Sequence, residues 1–253
     1  RMSAQMAAFL DQAGGPGHTL ACGIDGCVRL GKRYGFDQAH GELVATLATS
    51  LFDSMIGYHG FGDRERLLLR AAAMLHDVGD YVRYDGHHKH SYYLILNSDI
   101  MGLTPDERAI VANVARYHRE SSPDPAHPNF RDLDKDARAK VRGLAAILRI
   151  ADALDREHLG KVQSVKADID PKARRMNLSI VGDEHREPEE WTVRAKSELF
   201  RDVYETERMD DALKPFRLTL RRAGCLRFKP GIDANHPEKL AILEFPAFIG
   251  PTL

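Results

Sequence analysis

The run from Ala71 to Arg119, AAAMLHDVGDYVRYDGHHKHSYYLILNSDIMGLTPDERAIVANVARYHR, constrains this chain more than any other. Two of its apolar helical stripes end in histidine. Asp63 caps a helix whose inner face is set by Leu69, Ala72 and Ala73, and His76 continues that face at helical spacing. Asp77 follows where the helix frays, and Gly79 breaks it. Asp85-Gly86 then signals a turn, His87-His88-Lys89-His90 reads as a loop, and Ser91 reads as the cap of a helix through Leu96. Thr104-Pro105-Asp106-Glu107 starts the next helix, with threonine as cap, proline at the first helical position and glutamate three after the cap. Val111, Val114 and Ala115 point inward from it, and His118 extends their stripe.

Two polar side chains elsewhere share this placement. His40 lies three and four residues before Leu43 and Val44, on a helix capped by Asp37 that runs to about Met55. Asp152 stands four after Leu148 in a helix from about Ala137 to Glu157. A buried histidine is usually satisfied by backbone carbonyls, and a buried aspartate is usually a cap or a salt-bridge partner. Two unpaired carboxylates on apolar helices are costly, however, and each would cost several kcal/mol or protonate instead. His40, His76, Asp77 and Asp152 together have one partner that suits all four, a divalent cation. Mixed nitrogen and oxygen ligands favour manganese, iron, cobalt or zinc over calcium.

His90 and His118 fall at helix ends, where they reach a second ion or a substrate phosphate. The competing account of His118 is a helix C-terminal charge, worth ~0.3–1 kcal/mol. His87 and His88 read as exposed loop. Lys89, Arg116, Arg119, Arg149 and Arg156 surround these residues. Arginine forks hold phosphate oxygens well, although each arginine also reads as part of a solvated helix face.

The rest of the chain sets limits. Its 253 residues allow one or two domains, and a net charge of −1 leaves no global attraction to nucleic acid or to an anionic membrane. No apolar run approaches the ~20 residues that span a bilayer, and no signal-peptide pattern opens the chain. Cys22, Cys27 and Cys225 lack zinc-type spacing and read as reduced thiols of a cytoplasmic protein. Residues 1–25, with Gly14-Gly15-Pro16-Gly17, read as a tail or linker, and the opening Arg1-Met2 reads as a fragment of something longer. A short helix is expected over Gly26–Tyr34, and residues 121–136 read as loop. Val165, Ala167 and Ile169 alternate, as do Met176, Leu178 and Ile180, with Asp170-Pro171 between them, which is a hairpin signal. A helix from about Pro188 to Glu207 follows. Residues 216–220 and 240–245 read as strands in a tail that is otherwise hard to read.

The order His40, His76-Asp77, Asp152 resembles the ligand set of the HD-superfamily metal-dependent phosphohydrolases. AAMLHDVGDYVRYDGHHKHSYYLILNSDIMGL, VARYHR and LRIADALDR resemble the C-terminal helical region of the exopolyphosphatase/guanosine pentaphosphate phosphohydrolase family, as does RYGFDQAHGELVATLATSLFD. The likeness covers roughly residues 25 to 209. It implies a mainly α chain: an HD-type helical domain over 26–160 and a small C-terminal α+β module over 161–253, usually in a homodimer. It also implies that exopolyphosphatase chemistry resides in N-terminal actin-like domains, whose glycine-rich loops nothing here matches. Many relatives have lost the HD ligand set, whereas the four positions are intact in this chain.

The expected function is therefore an HD-type metal-dependent phosphohydrolase acting on a nucleotide or polyphosphate. It would use one or two divalent ions, manganese, iron or magnesium, on His40, His76, Asp77 and Asp152. Asp77, His90 and His118 would act in catalysis, and Lys89, Arg116 and Arg119 would hold substrate. The alternative is a non-catalytic polyphosphate-binding or dimerisation domain.

Overall fold

The computed structural model describes residues 16–170, 175–183, 187–206, 217–223 and 241–243. Helices α1 (Pro16–Arg33), α2 (Gln38–Ser54), α3 (Ile56–His59) and α4 (Asp63–Leu75) lead into a 3-10 turn, Val78–Tyr81. Helices α5 (His87–Leu96), α6 (Pro105–Arg116), α7 (Pro128–Arg131) and α8 (Lys135–Ala153) complete the helical part. Strands β1 (Val162–Asp170) and β2 (Arg175–Gly182), helices α9 (Glu187–Lys196) and α10 (Glu198–Arg201), a π turn (Asp202–Thr206) and strands β3 (Arg217–Ala223) and β4 (Ala241–Leu243) follow. The chain is mainly α with a small α+β part.

Caps fix several helix starts. Asp37 accepts the His40 amide at 3.1 Å and opens α2. Thr104 and Glu107 cap each other's amides at the start of α6, and Asp134 accepts the Ala137 amide at 2.7 Å to open α8. Several boundaries differ from the sequence expectation, among them residues 121–136, read as loop, which hold α7. Helix α1 begins at Pro16, inside the stretch read as a tail, because proline preorganises a first helical turn. Helix α5 begins at His87 rather than after Ser91, because Gly86 adopts a left-handed conformation (φ 73°) that turns the chain straight into a helix. The helix expected over 188–207 breaks at Ser197, whose hydroxyl donates to the Arg194 carbonyl at 2.8 Å and competes with the helical pattern.

In the sheet, β1 pairs antiparallel with β2, with Val165 opposite Ile180 and Ala167 opposite Leu178. Pro171, expected at the hairpin turn, lies outside the described residues. Strand β3 pairs parallel with β2 and β4 antiparallel with β3, giving the order β1-β2-β3-β4. A parallel pair needs a long crossover, and the connection containing α9 supplies it.

Val44, Leu47, Leu68, Val111, Leu144 and Ile147 are buried in one cluster that continues into Val165, Leu178 and Phe200 of the α+β part. Burying each such side chain contributes about 1.5–3 kcal/mol. Gly41 lets α2 approach α4 closely, since a Cβ there would stand 2.9 Å from the Met74 carbonyl oxygen. That approach brings His40 against His76. Cys27 is buried in the same core, and burial pushes its thiol up to about 12, so it is an inert packing residue. The side chains of Cys22 and Cys225 lie outside the described residues. No helix among the described residues is long and apolar enough to cross a membrane.

Candidate metal centre

Four histidines meet around Asp77. His40 comes from the first turn of α2, His76 from the end of α4, His87 from the start of α5 and His118 from just past α6. All four are at most 3% exposed. Each is held through Nδ1. His76 donates to the Ala73 carbonyl at 2.7 Å, His118 to the Ala115 carbonyl at 2.7 Å and His87 to the Tyr84 carbonyl at 3.0 Å. The Nδ1 of His40 stands 2.8 Å from Asp155 Oδ2. A carbonyl only accepts, so Nδ1 carries the proton and, in the neutral ring, Nε2 is left with a lone pair.

Those Nε2 atoms face one another in two pairs. His40 and His76 are 3.2 Å apart, and His87 and His118 are 3.3 Å apart. Asp77 lies between the pairs. Its Oδ2 is 3.7 Å from His40 Nε2 and 3.4 Å from His76 Nε2, while its Oδ1 is 3.0 Å from His87 Nε2 and 3.4 Å from His118 Nε2. Oδ1 is sealed from solvent yet takes no well-aligned hydrogen bond. Asp152 Oδ1 joins the first pair, 3.4 Å from His76 and 3.9 Å from His40, and its Oδ2 pairs with Lys196.

The residues fit a divalent cation. Ligands roughly 2.0–2.2 Å from one ion in tetrahedral or octahedral array stand roughly 3–3.5 Å apart; the His87, His118 and Asp77 atoms stand 3.0–3.4 Å apart, and the His40, His76, Asp77 and Asp152 contacts given above run from 3.2 to 3.9 Å. His40, His76 and Asp152 form one group that could hold an ion, and His76, Asp77 and His118 form another. His40, Asp77 and His158 form a third. The ring of His158 stacks on His40 at 3.6 Å between centroids, from a left-handed backbone (φ 54°) uncommon for histidine.

The two carboxylates also set the charges of the imidazoles around them. Burial pulls His76 down, but Asp77 and Asp152 beside it lift it to about 9. Burial raises both carboxyls, yet His76 and the other imidazoles hold Asp77 below the usual range, and Lys196 with His76 holds Asp152 well below it. Burial pushes His118 down to about 3. The two carboxylates thus draw positive charge into an otherwise apolar interior.

Of the residues singled out in the sequence, His40, His76, Asp77, His118 and Asp152 converge. His90 does not. It lies half-buried further along α5, and no hydrogen bond, ion pair or ring contact joins it to the cluster among the described residues. Because α5 starts at His87, that residue takes the place expected of His90, and Ser91, one turn on, packs against Gly79. Asp155, Lys196 and His158 were also missed. The i, i+3 spacing of Asp152 and Asp155 was a usable signal for the first.

The cluster opens into a cavity of about 370 Å³ walled by Tyr84, Arg119, Arg156 and Trp191, among others. Arg119 Nη1 is 3.4 Å from His87 Nε2. Arg119 also lines a second cavity of about 280 Å³ with Lys89 and Arg116. The Arg116 guanidinium packs over the rings of Tyr92 and Tyr117. Arg149 serves differently, donating to the carbonyls of Tyr117, Glu120 and Ser121 and so fastening that turn to α8.

The family profile described as Ppx/GppA phosphatase, domain III, matches residues 26–196. The chain belongs to this family. Among relatives of this Ppx/GppA domain, the guanosine-5'-triphosphate,3'-diphosphate pyrophosphatase of Vibrio parahaemolyticus is 34% identical over 90 residues, 35% of this chain and 18% of the relative. The protein of the same name from Vibrio cholerae is 34% identical over 95 residues, 37% of this chain and 19% of the relative. That of Pseudoalteromonas atlantica is 29% identical over 123 residues, 47% of this chain and 24% of the relative. The chain therefore spans less than a quarter of the length of these curated relatives.

Proposed function

We propose that this chain is an HD-type, metal-dependent phosphohydrolase that cleaves a phosphoester or phosphoanhydride in a nucleotide or polyphosphate. One observation supports this above the others: Asp77 presents an oxygen to each of two facing imidazole pairs. In this reading His40, His76, Asp77 and Asp152 hold one ion, and Asp77, His87 and His118 hold a second. Manganese or iron suits such a nitrogen and oxygen set. A divalent ion there lowers the pKa of a water molecule and draws electron density from a phosphoryl group.

The chain's own residues do the rest. Asp155 fixes the tautomer and orientation of His40. Asp77 also orients the attacking water. Lys196 and Arg119 neutralise charge on the non-bridging oxygens. Lys89 and Arg116 extend the positive lining toward further phosphates. The relatives are named guanosine-5'-triphosphate,3'-diphosphate pyrophosphatases, which agrees with a substrate that carries several phosphates.

The test is metal analysis of the purified chain, followed by phosphate release from GTP and from polyphosphate. Up to two ions per chain are expected, with turnover abolished in Asp77→Ala at unchanged circular dichroism. A chain that takes up no ion, or whose turnover survives Asp77→Ala, refutes the reading. Ions without turnover of any phosphate compound would instead indicate a binding module.

A further inference from the structure

The chain's single tryptophan stands in the wall of the cluster's cavity. Trp191 is 64% exposed, a large apolar surface to leave against water. Arg156 covers part of it, with its guanidinium 5.8 Å from the ring centroid. That guanidinium is itself held in place, since Nη1 donates to Thr192 Oγ1 at 3.0 Å. On α9 the next residue along the same face is Ala195, which also lines the cavity and leaves room beside the indole. A second aromatic ring, Tyr84, is 73% exposed in the same cavity and lies 5.6 Å from the His87 ring.

The cavity therefore has two chemically distinct parts. One is charged: the Asp77 cluster, Lys196 and Arg119. The other is flat and apolar, and is stiffened by a fixed cation. Its volume of about 370 Å³ lies within the range of sites that enclose a small organic ligand. A polyphosphate chain has nothing to place against an indole. A nucleotide does, because every base offers a π-face and aromatic stacking accepts it.

We propose that Trp191, backed by Arg156, stacks the base of a nucleotide whose phosphates sit at the Asp77 cluster, so that the substrate class is nucleotides rather than inorganic polyphosphate. This rests on the cluster's handling phosphates, as proposed above. Trp191 is a specificity residue here, and no bond to it forms or breaks.

The experiment compares GTP with inorganic tripolyphosphate on the manganese-loaded chain, using Trp191 fluorescence and calorimetry. GTP should quench the emission and bind about tenfold or more tightly than tripolyphosphate. Trp191→Ala should weaken GTP about tenfold and leave tripolyphosphate binding, ion content and melting temperature unchanged. Trp191→Phe should restore most of the loss, because a smaller ring still stacks. Equal affinities for the two probes, no GTP binding, or a Trp191→Ala change that weakens both probes alike overturns the proposal. Ion content and Asp77→Ala turnover judge the phosphohydrolase reading on their own, so the two failures are separable.

Discussion

Asp155 grips His40 from behind: its Oδ2 lies 2.8 Å from Nδ1 of the imidazole, while its Oδ1 accepts the Gly160 amide at 2.8 Å. One carboxylate thus fixes both the ring and the turn after α8. Partners of this kind are typically worth 10–100-fold in metal affinity. Asp155→Ala should weaken manganese binding by about that factor, and Asp155→Asn by less, because an amide oxygen still accepts from Nδ1. Calorimetric titration with Mn²⁺ checks the order.

The two imidazole pairs should be separable by mutation. His118→Ala and His87→Ala should each leave one ion per chain, while His40→Ala should lose the other. Asp77→Ala should lower the occupancy of both positions. Metal analysis after gel filtration reads the stoichiometry directly, and identical losses in all four variants would contradict two distinct positions.

Removing the ions should loosen the helices that contribute ligands. Ligand at 100 times its dissociation constant stabilises by about 2.7 kcal/mol. For a chain of this size that corresponds to a fall of about 5–10 °C in melting temperature on adding a chelator. A melting curve indifferent to chelator would argue against a tightly held ion.

Away from the cluster, Arg64 grips Glu107 through two bonds, at 2.5 Å from Nε and 2.6 Å from Nη2, and so ties the start of α4 to the cap of α6. This pairing holds the Glu107 carboxyl below its ordinary value. A depressed carboxyl stabilises fully above the unfolded value of ~4.3 and loses that contribution as pH falls through the lower folded value. Glu107→Gln should cost about 1–2 kcal/mol at neutral pH. The gap from the natural chain should close as urea melts are repeated toward pH 3.

Gly79 has no room for a methyl group. A Cβ there would overlap the His87 carbonyl and the Ser91 amide. Gly79→Ala should cost about 1–3 kcal/mol or more. Because it pushes α5 outward it should also weaken binding of the ion proposed for His87 and His118 in particular, which ion counts and a thermal melt measure together.

Much of this could be read from residues. Asp37 and Thr104 announced their helices because capping chemistry is local, and His76 and His118 were legible because each extends an apolar stripe. His87 was hidden by a register question: only the left-handed Gly86 decides that α5 starts four residues before Ser91, and that brings His87 rather than His90 against Asp77 and His118. Lys196 was illegible for another reason. It reaches Asp152 across 44 positions of sequence, a long-range contact that no periodicity signals. The parallel pairing of β3 with β2 is likewise a choice made by the whole sheet.

A carboxylate that faces two ways makes its two neighbours interdependent. If both proposed positions fill, the cation that settles first against Asp77 would orient the other oxygen and leave a like charge close to the next arrival. Filling would then follow two steps of unequal affinity, with a half-loaded form of its own net charge and its own appetite for anions. The supply of divalent ions, as much as the supply of substrate, would set how much of the chain is ready to work.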